Sequence, residues 1–313
     1  MVRPDFLVIG AMKSMTSSLH DQLAALPELN LSSLKEPCFF SNDEQFQRGW
    51  DWYASCWSNP NHPGMLGESS THYAKLPTYP KTVERIVEHC PDVRIIYVIR
   101  HPIDRLISQY IHEWTVGKIR QPLELAVRRF SILTDYSRYA FQLKPYLQNF
   151  DRKQIQVVSF DALRIAPTPT LRSILRFLDV DRPVDWQTDL APCNISSHRM
   201  RKSVIRDRIV NAPGVRWARK TLVPPSVRDS IKSLWQIRNR PELSNDLRSE
   251  LEKRFDDDLG QLSTLLQLPR PLSCEGFGEF STWSGCHKSL YDECTTVGVS
   301  ARNLQETQAG ELS

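Results

Sequence analysis

Residues 5–26 read DFLVIGAMKSMTSSLHDQLAAL. A short apolar run ends in Gly10, a cluster of hydroxyl side chains follows, and Leu19, Leu23 and Leu26 then recur at helical spacing. The order is a strand, a tight loop and a helix. Such a loop lies at the carboxyl edge of a parallel sheet, where backbone N–H groups and the helix dipole together attract an anion. Ser14, Thr16, Ser17 and Ser18 add hydroxyl donors and Lys13 adds a full positive charge, so the loop suits a phosphate or a sulfate. On this stretch alone, a plain helix start capped by Ser or Thr is the alternative.

Two further units repeat the pattern. DVRIIYVIR (92–100) is continuous and β-branched, as a buried parallel strand should be, and HPIDRLISQYIHEW follows it as a helix entered through Pro102. IQVVSF (155–160) is a third strand, followed by the helix TLRSILRFLDV. PKTVERIVEHC and YSRYAFQLKPYLQNF supply helices in the intervals, and SNDEQFQRGWDWYASCWSNPNHPG reads as an aromatic-rich insertion. Alternating strands and helices predict an α/β fold with a P-loop-like parallel sheet covered by helices on both faces. The expected organisation is one domain over residues 1–270, with a basic segment at 196–240 and a poorly ordered tail from 271 to 313.

The 313 residues are 40% hydrophobic and 24% charged, enough to bury a full core. No run approaches 18 apolar residues, and MVRPDFLVIGAMK lacks the apolar core and cleavage site of a secretory signal, so the expected location is cytoplasmic. Seven widely spaced cysteines with no CxxC pair argue for reduced thiols over a zinc site or a disulfide framework. The net charge of +4 conceals an asymmetry. Residues 274–313 carry −4, whereas residues 196–240 hold twelve basic residues against Asp207 and Asp229. A patch of that sign implies an anionic partner, and nucleic acid, acidic lipid or the phosphates of a nucleotide would each satisfy it.

Spacing narrows the chemistry. A Walker A loop places lysine after a second glycine, but Lys13 comes three residues after Gly10 and before the hydroxyl cluster, and no acidic strand end suits magnesium. Arg100 ends the second strand at the carboxyl edge, and Ser108 lies about two helical turns beyond it. An Arg and a Ser so placed can converge on an additional phosphate beside the first loop.

KSMTSSL (13–19) resembles the 5′-phosphosulfate loop, roughly KxGTTxL, of sulfotransferases that use 3′-phosphoadenosine 5′-phosphosulfate (PAPS). YVIRHPIDRLISQY (97–110) resembles their 3′-phosphate motif, and LKEPCFF (34–40) is similar to the Lys-Glu-Pro segment of the heparan-sulfate-type and bacterial branches. VVSFDALRIAPTPTLRSILRFLDV (157–180) is similar to a later strand and helix of the family. The resemblance implies that Lys13, Ser14, Met15, Thr16, Ser17, Ser18, Arg100, Ser108 and Phe160 hold the nucleotide, whose product form is adenosine 3′,5′-bisphosphate. It also implies that Lys13 stabilises the departing phosphate oxygen and that Glu36 is the base toward a carbohydrate or other small acceptor. The late basic loop of relatives has its counterpart in SSHRMRKS (196–203), making Arg199, Arg201 and Lys202 candidates over the 3′-phosphate. No metal and no nucleic-acid partner are expected.

Two departures from the family pattern stand out. Met15 occupies a glycine position, which predicts that its N–H reaches the phosphosulfate at negative φ, with the freedom of glycine dispensable. Phe160 stands where relatives have a tyrosine. Glu36 is a poor base unless burial raises it, for which Phe39 and Phe40 are available. It could instead be an ion-pair partner of Lys35 or Lys13, with Glu68, His72 and His112 as alternative bases. Trp50, Trp52, Tyr53, Trp57, Tyr73 and Tyr79 suit a stacked acceptor or a lid's own core. An ATP-dependent kinase and a non-catalytic nucleotide- or glycan-binding module are the competing functions.

Overall fold

The computed structural model describes residues 2–59, 61–190 and 240–283, which build a five-stranded, wholly parallel sheet of order β2-β3-β1-β4-β5. The strands are β1 Phe6–Gly10, β2 Leu29–Leu31, β3 Met65–Ser69, β4 Arg94–Ile99 and β5 Ile155–Ser159. Helix α1 is Thr16–Ala24, α2 Asp43–Gln47, α3 Gly49–Ala54, α4 Thr82–His89, α5 Pro102–Thr115 and α6 Leu123–Arg129. They are followed by α7 Ile132–Asp135, α8 Tyr139–Asn149, α9 Phe160–Ile165, α10 Pro167–Phe177, α11 Asn245–Leu266 and α12 Phe280–Trp283.

Strand periodicity sorts the apolar residues into two cores. Phe6, Val8, Ile96, Val98 and Val158 face α1 and α10 through Leu19, Leu23, Leu171 and Ile174. Leu7, Ile9, Ile95, Tyr97 and Val157 face the opposite layer, where α5, α8 and α11 supply Leu106, Leu143, Phe255 and Leu259. Burial on both sides is why these strands read as continuous apolar runs with no polar face.

The expected strands and helices are all present. Strands β2 and β3 and helix α11 are additions. LNL is too short to show alternation, and MLGES carries Gly67 and Glu68 at positions that look solvent-facing but are buried. Helix α11 ties the distal layer together. Its Asp258, 3% exposed, accepts the N–H groups of Ala140 (2.8 Å) and Phe141 (3.1 Å), so the first turn of α8 is capped from 118 residues away.

The expectation of a poorly ordered tail from 271 is corrected for residues 271–283. Leu272, Cys274, Phe277 and Phe280 are buried in the distal core, His101 is within 3.1 Å of the Cys274 carbonyl, and α12 packs on α9 and β5. Four apolar side chains in thirteen residues follow no helical period, so composition hid them. Cys38, Cys56, Cys90 and Cys274 are buried free thiols. Among the described residues no helix is long and apolar enough to cross a membrane.

Glu68 is fully buried in the aromatic core, and neither carboxylate oxygen has a well-formed hydrogen bond, although the Tyr53 and Tyr73 hydroxyls approach it. Burial pushes its carboxyl up to about 8, with the Glu36 charge adding to the effect. Between about pH 4.5 and 8 the folded chain therefore holds a proton that the unfolded chain has released, and stability falls as pH rises through that window. Glu68→Gln should unfold at higher temperature than the parent at pH 8, the gap amounting to a few kcal/mol and closing toward pH 4.5. Melting curves that stay parallel across this range would contradict it.

Candidate active site

The carboxyl ends of β1 and β4 meet at the centre of the sheet, where strand order reverses and ligands of open α/β folds bind. Gly10 is held at φ 152°, and a Cβ there would lie 3.2 Å from both the Ala74 side chain and the Tyr97 ring, so this turn requires glycine. The Ala11 N–H donates to the Val98 carbonyl (2.6 Å), fixing the start of the loop against β4. Helix α1 then begins at Thr16 with no side-chain cap. The capped-start alternative is thus excluded: the hydroxyls leave the first-turn N–H groups to another acceptor. The Ser14 hydroxyl is fully buried and without a hydrogen-bond partner.

The expectation for Met15 is corrected. Its φ is 61° and ψ 15°, the left-handed region, and Lys13 is also left-handed at φ 75°. The loop keeps a glycine-like backbone at position 15 and imposes it on a side chain, at a cost of order 1–3 kcal/mol. The Met15 side chain packs on the α1–α10 core, which offsets part of that cost.

Arg100 joins the loop from the other side. Its Nη1 donates to the Lys13 carbonyl (3.2 Å), and its guanidinium carbon lies 4.4 Å from the centre of the Phe160 ring. Tyr139 clamps the Arg100 backbone, accepting its N–H (3.2 Å) and donating to its carbonyl (2.5 Å). The Arg100 Nε is buried without a partner. Phe160 opens α9 immediately after Ser159, whose hydroxyl caps that helix. Ser108 lies two turns into α5, 5% exposed. Arg199, Arg201 and Lys202 lie outside the described residues.

The Lys-Glu-Pro segment docks on the same loop. Lys35 Nζ donates to Ser17 Oγ (2.5 Å) and lies 3.7 Å from Glu36 Oε1. Glu36 has a left-handed backbone (φ 58°), its N–H donates to the Ser69 carbonyl (3.1 Å), and the Thr71 hydroxyl lies 3.2 Å from both its carboxylate oxygens. The carboxylate is therefore held by Thr71 and Lys35 above an anchored backbone, while its side chain stays one-third exposed. Phe39 and Phe40 do not enclose Glu36. Phe39 stacks on Tyr53 at 4.3 Å and both rings turn into the distal core.

Cys38 Sγ and a ring nitrogen of His72 sit with the Glu36 carboxylate in one cluster, each ligand atom within 4.8 Å of the others. Burial lowers His72 to about 4, helped by Lys75 and Lys118, and raises the Cys38 thiol to about 12, so the imidazole and the thiol are both neutral near pH 7. Lys75 is 8% exposed beside Glu36 and Cys38, and burial brings it down to about 8. On α1, His20 pairs with Ser69 Oγ (2.9 Å) and is lowered to about 4 by burial and by Lys35.

Several alternatives separate at this point. Glu68 faces the aromatic core and is sealed from solvent. Tyr53, Trp57 and Tyr73 are buried in that core, which leaves Trp50, Trp52 and Tyr79 partly exposed. Tyr79 stacks on His72 (4.7 Å) and lines a cleft of about 380 Å³ with Ser41, Asp43, Thr78 and Lys81. The sequence reading missed Lys75 and the tie between Lys35 and Ser17. The sequence around Lys75, YAKLP, carries no signal for a buried ammonium.

The profile of the sulfotransferase family matches residues 37–184. Over 190 residues the chain is 27% identical to heparan sulfate glucosamine 3-O-sulfotransferase 5 of Mus musculus, covering 56% of this chain and 54% of that one. It is 25% identical over 200 residues to the bifunctional heparan sulfate N-deacetylase/N-sulfotransferase 2 of Homo sapiens, covering 56% of this chain but only 22% of the relative. The chain thus spans less than a quarter of the N-deacetylase/N-sulfotransferases and about half of the 3-O-sulfotransferase. The crystal structure of a sulfotransferase from Alicyclobacillus acidocaldarius superimposes with a TM-score of 0.61 at 24% identity, over 87% of this chain and 98% of that one, and so shares the fold. The profile match runs from residue 37 through β5 and α10, just under half of the chain, and with these relatives it supports a sulfotransferase family.

Proposed function

We propose that this chain transfers a sulfuryl group from PAPS to a hydroxyl or amine of a small or carbohydrate acceptor. The observation that carries the reading is the bond from Lys35 to Ser17, which holds the carboxylate of Glu36 against an uncapped, cationic anion loop. The residues present fit the nucleotide. Ser14 Oγ and Arg100 Nε are buried polar atoms in need of partners, and each would otherwise remain a desolvated donor.

The nucleotide would supply an activated sulfuryl group and a phosphate leaving group. The first-turn N–H groups of Thr16, Ser17 and Ser18, with the dipole of α1, would hold its 5′ end, and Arg100 and Ser108 its 3′-phosphate. Lys13 would oppose the negative charge that grows on the departing oxygen, and Glu36, fixed by Thr71, would take the proton of the acceptor. The cleft walled by Tyr79 would receive that acceptor, and the heparan sulfate relatives favour a sugar. The proposed location is cytoplasmic, and the role of Arg199, Arg201 and Lys202 over the 3′-phosphate belongs to the same proposal.

Calorimetric titration separates this reading from its competitors. Adenosine 3′,5′-bisphosphate should bind without metal and more tightly than 5′-AMP, whereas preference for ATP with magnesium would favour a kinase. Arg100→Ala should weaken the bisphosphate by about 1.5–3 kcal/mol and 5′-AMP far less. An equal loss for both nucleotides would remove Arg100 from the 3′ site.

With labelled PAPS and a panel of phenolic and amino-sugar acceptors, Glu36→Gln should lower turnover about 100-fold or more at nearly unchanged nucleotide affinity. Near-normal turnover would pass the role to His72 or His112. Met15→Gly relieves the left-handed strain but adds unfolded-state entropy, so its melting point should match or exceed that of the parent, while nucleotide affinity stays within about tenfold. If Met15→Gly instead brings an inert protein to life, the binding-module reading is right.

A further inference from the structure

We propose that Glu36, Cys38 and His72 form a zinc-binding site, and that zinc held there blocks transfer by occupying the carboxylate of Glu36. The blocking role rests on the assignment of Glu36 as base; the binding itself does not. The donor set is one carboxylate oxygen, one sulfur and one imidazole nitrogen, with all pairs within 4.8 Å. Zinc takes such ligands at about 2.0–2.3 Å in tetrahedral sites, which puts neighbouring ligand atoms some 3.3–3.7 Å apart. The widest separation must therefore close by about 1 Å, within the reach of side-chain rotation.

The backbone brings the three groups together independently of their sequence spacing. Glu36 and Cys38 flank Pro37 and are both left-handed, at φ 58° and 55°. The Cys38 N–H is pinned by Ser70 Oγ (3.0 Å), and His72 comes from the adjoining 3₁₀ turn Thr71–Ala74. Thr71 already orients the carboxylate, as outer-shell groups do for metal ligands, and the Nδ1 of His72 is buried without a hydrogen-bond partner. Three protein ligands leave a fourth position for water. On binding, the Cys38 S–H bond is replaced by a sulfur–zinc bond and the proton leaves to solvent. The ammonium of Lys75, buried beside Glu36 and Cys38, opposes the cation and limits the affinity.

The test is titration of the full chain with zinc and with cobalt, followed by calorimetry and by the absorption spectrum of the cobalt adduct. The expected result is one equivalent bound, a thiolate-to-cobalt charge-transfer band, and loss of that band in Cys38→Ser. Cys38→Ser and His72→Ala should each weaken zinc at least tenfold, and Lys75→Met should tighten it. Adenosine 3′,5′-bisphosphate binding, measured on the same variants, reports that they are folded. A cobalt spectrum without a thiolate band, or zinc affinity unchanged in Cys38→Ser, overturns the site. In the transferase assay zinc should inhibit the parent reversibly and Cys38→Ser at least tenfold less. Equal inhibition of both overturns the blocking role, and a failure of Glu36→Gln to slow turnover counts against the base assignment while leaving the metal titration intact.

Discussion

The hydrogen bond from Ala11 N–H to the Val98 carbonyl, 2.6 Å long, ties the end of β1 to the end of β4 at the centre of the sheet. Everything chemical in the molecule is arranged around that junction. It brings the loop after β1 within reach of the residue that ends β4, so the Lys13 carbonyl meets Arg100. Because β3 pairs with the other side of β1, the same junction places Ser69, Ser70 and Thr71 under the Lys-Glu-Pro segment, where they hold Glu36 and Cys38. Parallel pairing sends all these strand ends to one edge, and the reversal of strand order leaves that edge open for a ligand.

Building the loop carries a conformational cost. Lys13, Met15, Glu36 and Cys38 are all non-glycine residues at positive φ, and all four lie at this one edge. Strain of that kind persists only where surrounding packing over-determines it, and here the packing is visible: Met15 rests on the α1–α10 core and the Glu36 N–H is bonded to Ser69. Left-handed residues at Lys13 and Met15, two positions apart, are the kind of backbone from which anion-binding nests are built.

How much of this could be read in the sequence depended on whether the signal was local. Strands β1, β4 and β5 and their helices were legible because apolar runs and helical repeats are local patterns. Strands β2 and β3 were not, since LNL and MLGES owe their state to neighbours on the sheet. The loop and Arg100 were legible as positions at the ends of strands and Glu36 through motif resemblance, and the structure brings the three to one edge, but the backbone of Met15 was misjudged, because the preference of methionine for negative φ was overridden by the turn it occupies. The aromatic insertion was ambiguous for a different reason. Tyr53 and Tyr73 as core and Tyr79 as cleft wall have the same composition, and only three-dimensional packing separates them. Lys75 is buried by contacts that its own neighbours in sequence do not announce.

The electrostatics of the edge explain why such burial is tolerated. Arg100 and Arg105 are desolvated, and among the described residues no carboxylate is bonded to either. Arg105, fully buried, is held by Ser137, Gln109 and the Leu133 carbonyl, and its Nη1 has no partner at all. Burial is the main cause that lowers the affinity of both guanidinium groups for their protons, the desolvation cost of holding a cation inside the fold. Under the proposed function, a ligand carrying phosphate charge beside Arg100 would offset part of that cost on binding. The neutral hydroxyls of Ser14 and Ser108 would then orient it without adding charge. This division of labour, buried cations for strength and buried hydroxyls for direction, also accounts for the position of Glu36. As the one carboxylate of the Lys-Glu-Pro segment it sits beside Lys35 and Lys75 and is held by Thr71, an arrangement that under the proposed function would keep it from repelling the nucleotide and turned to the acceptor.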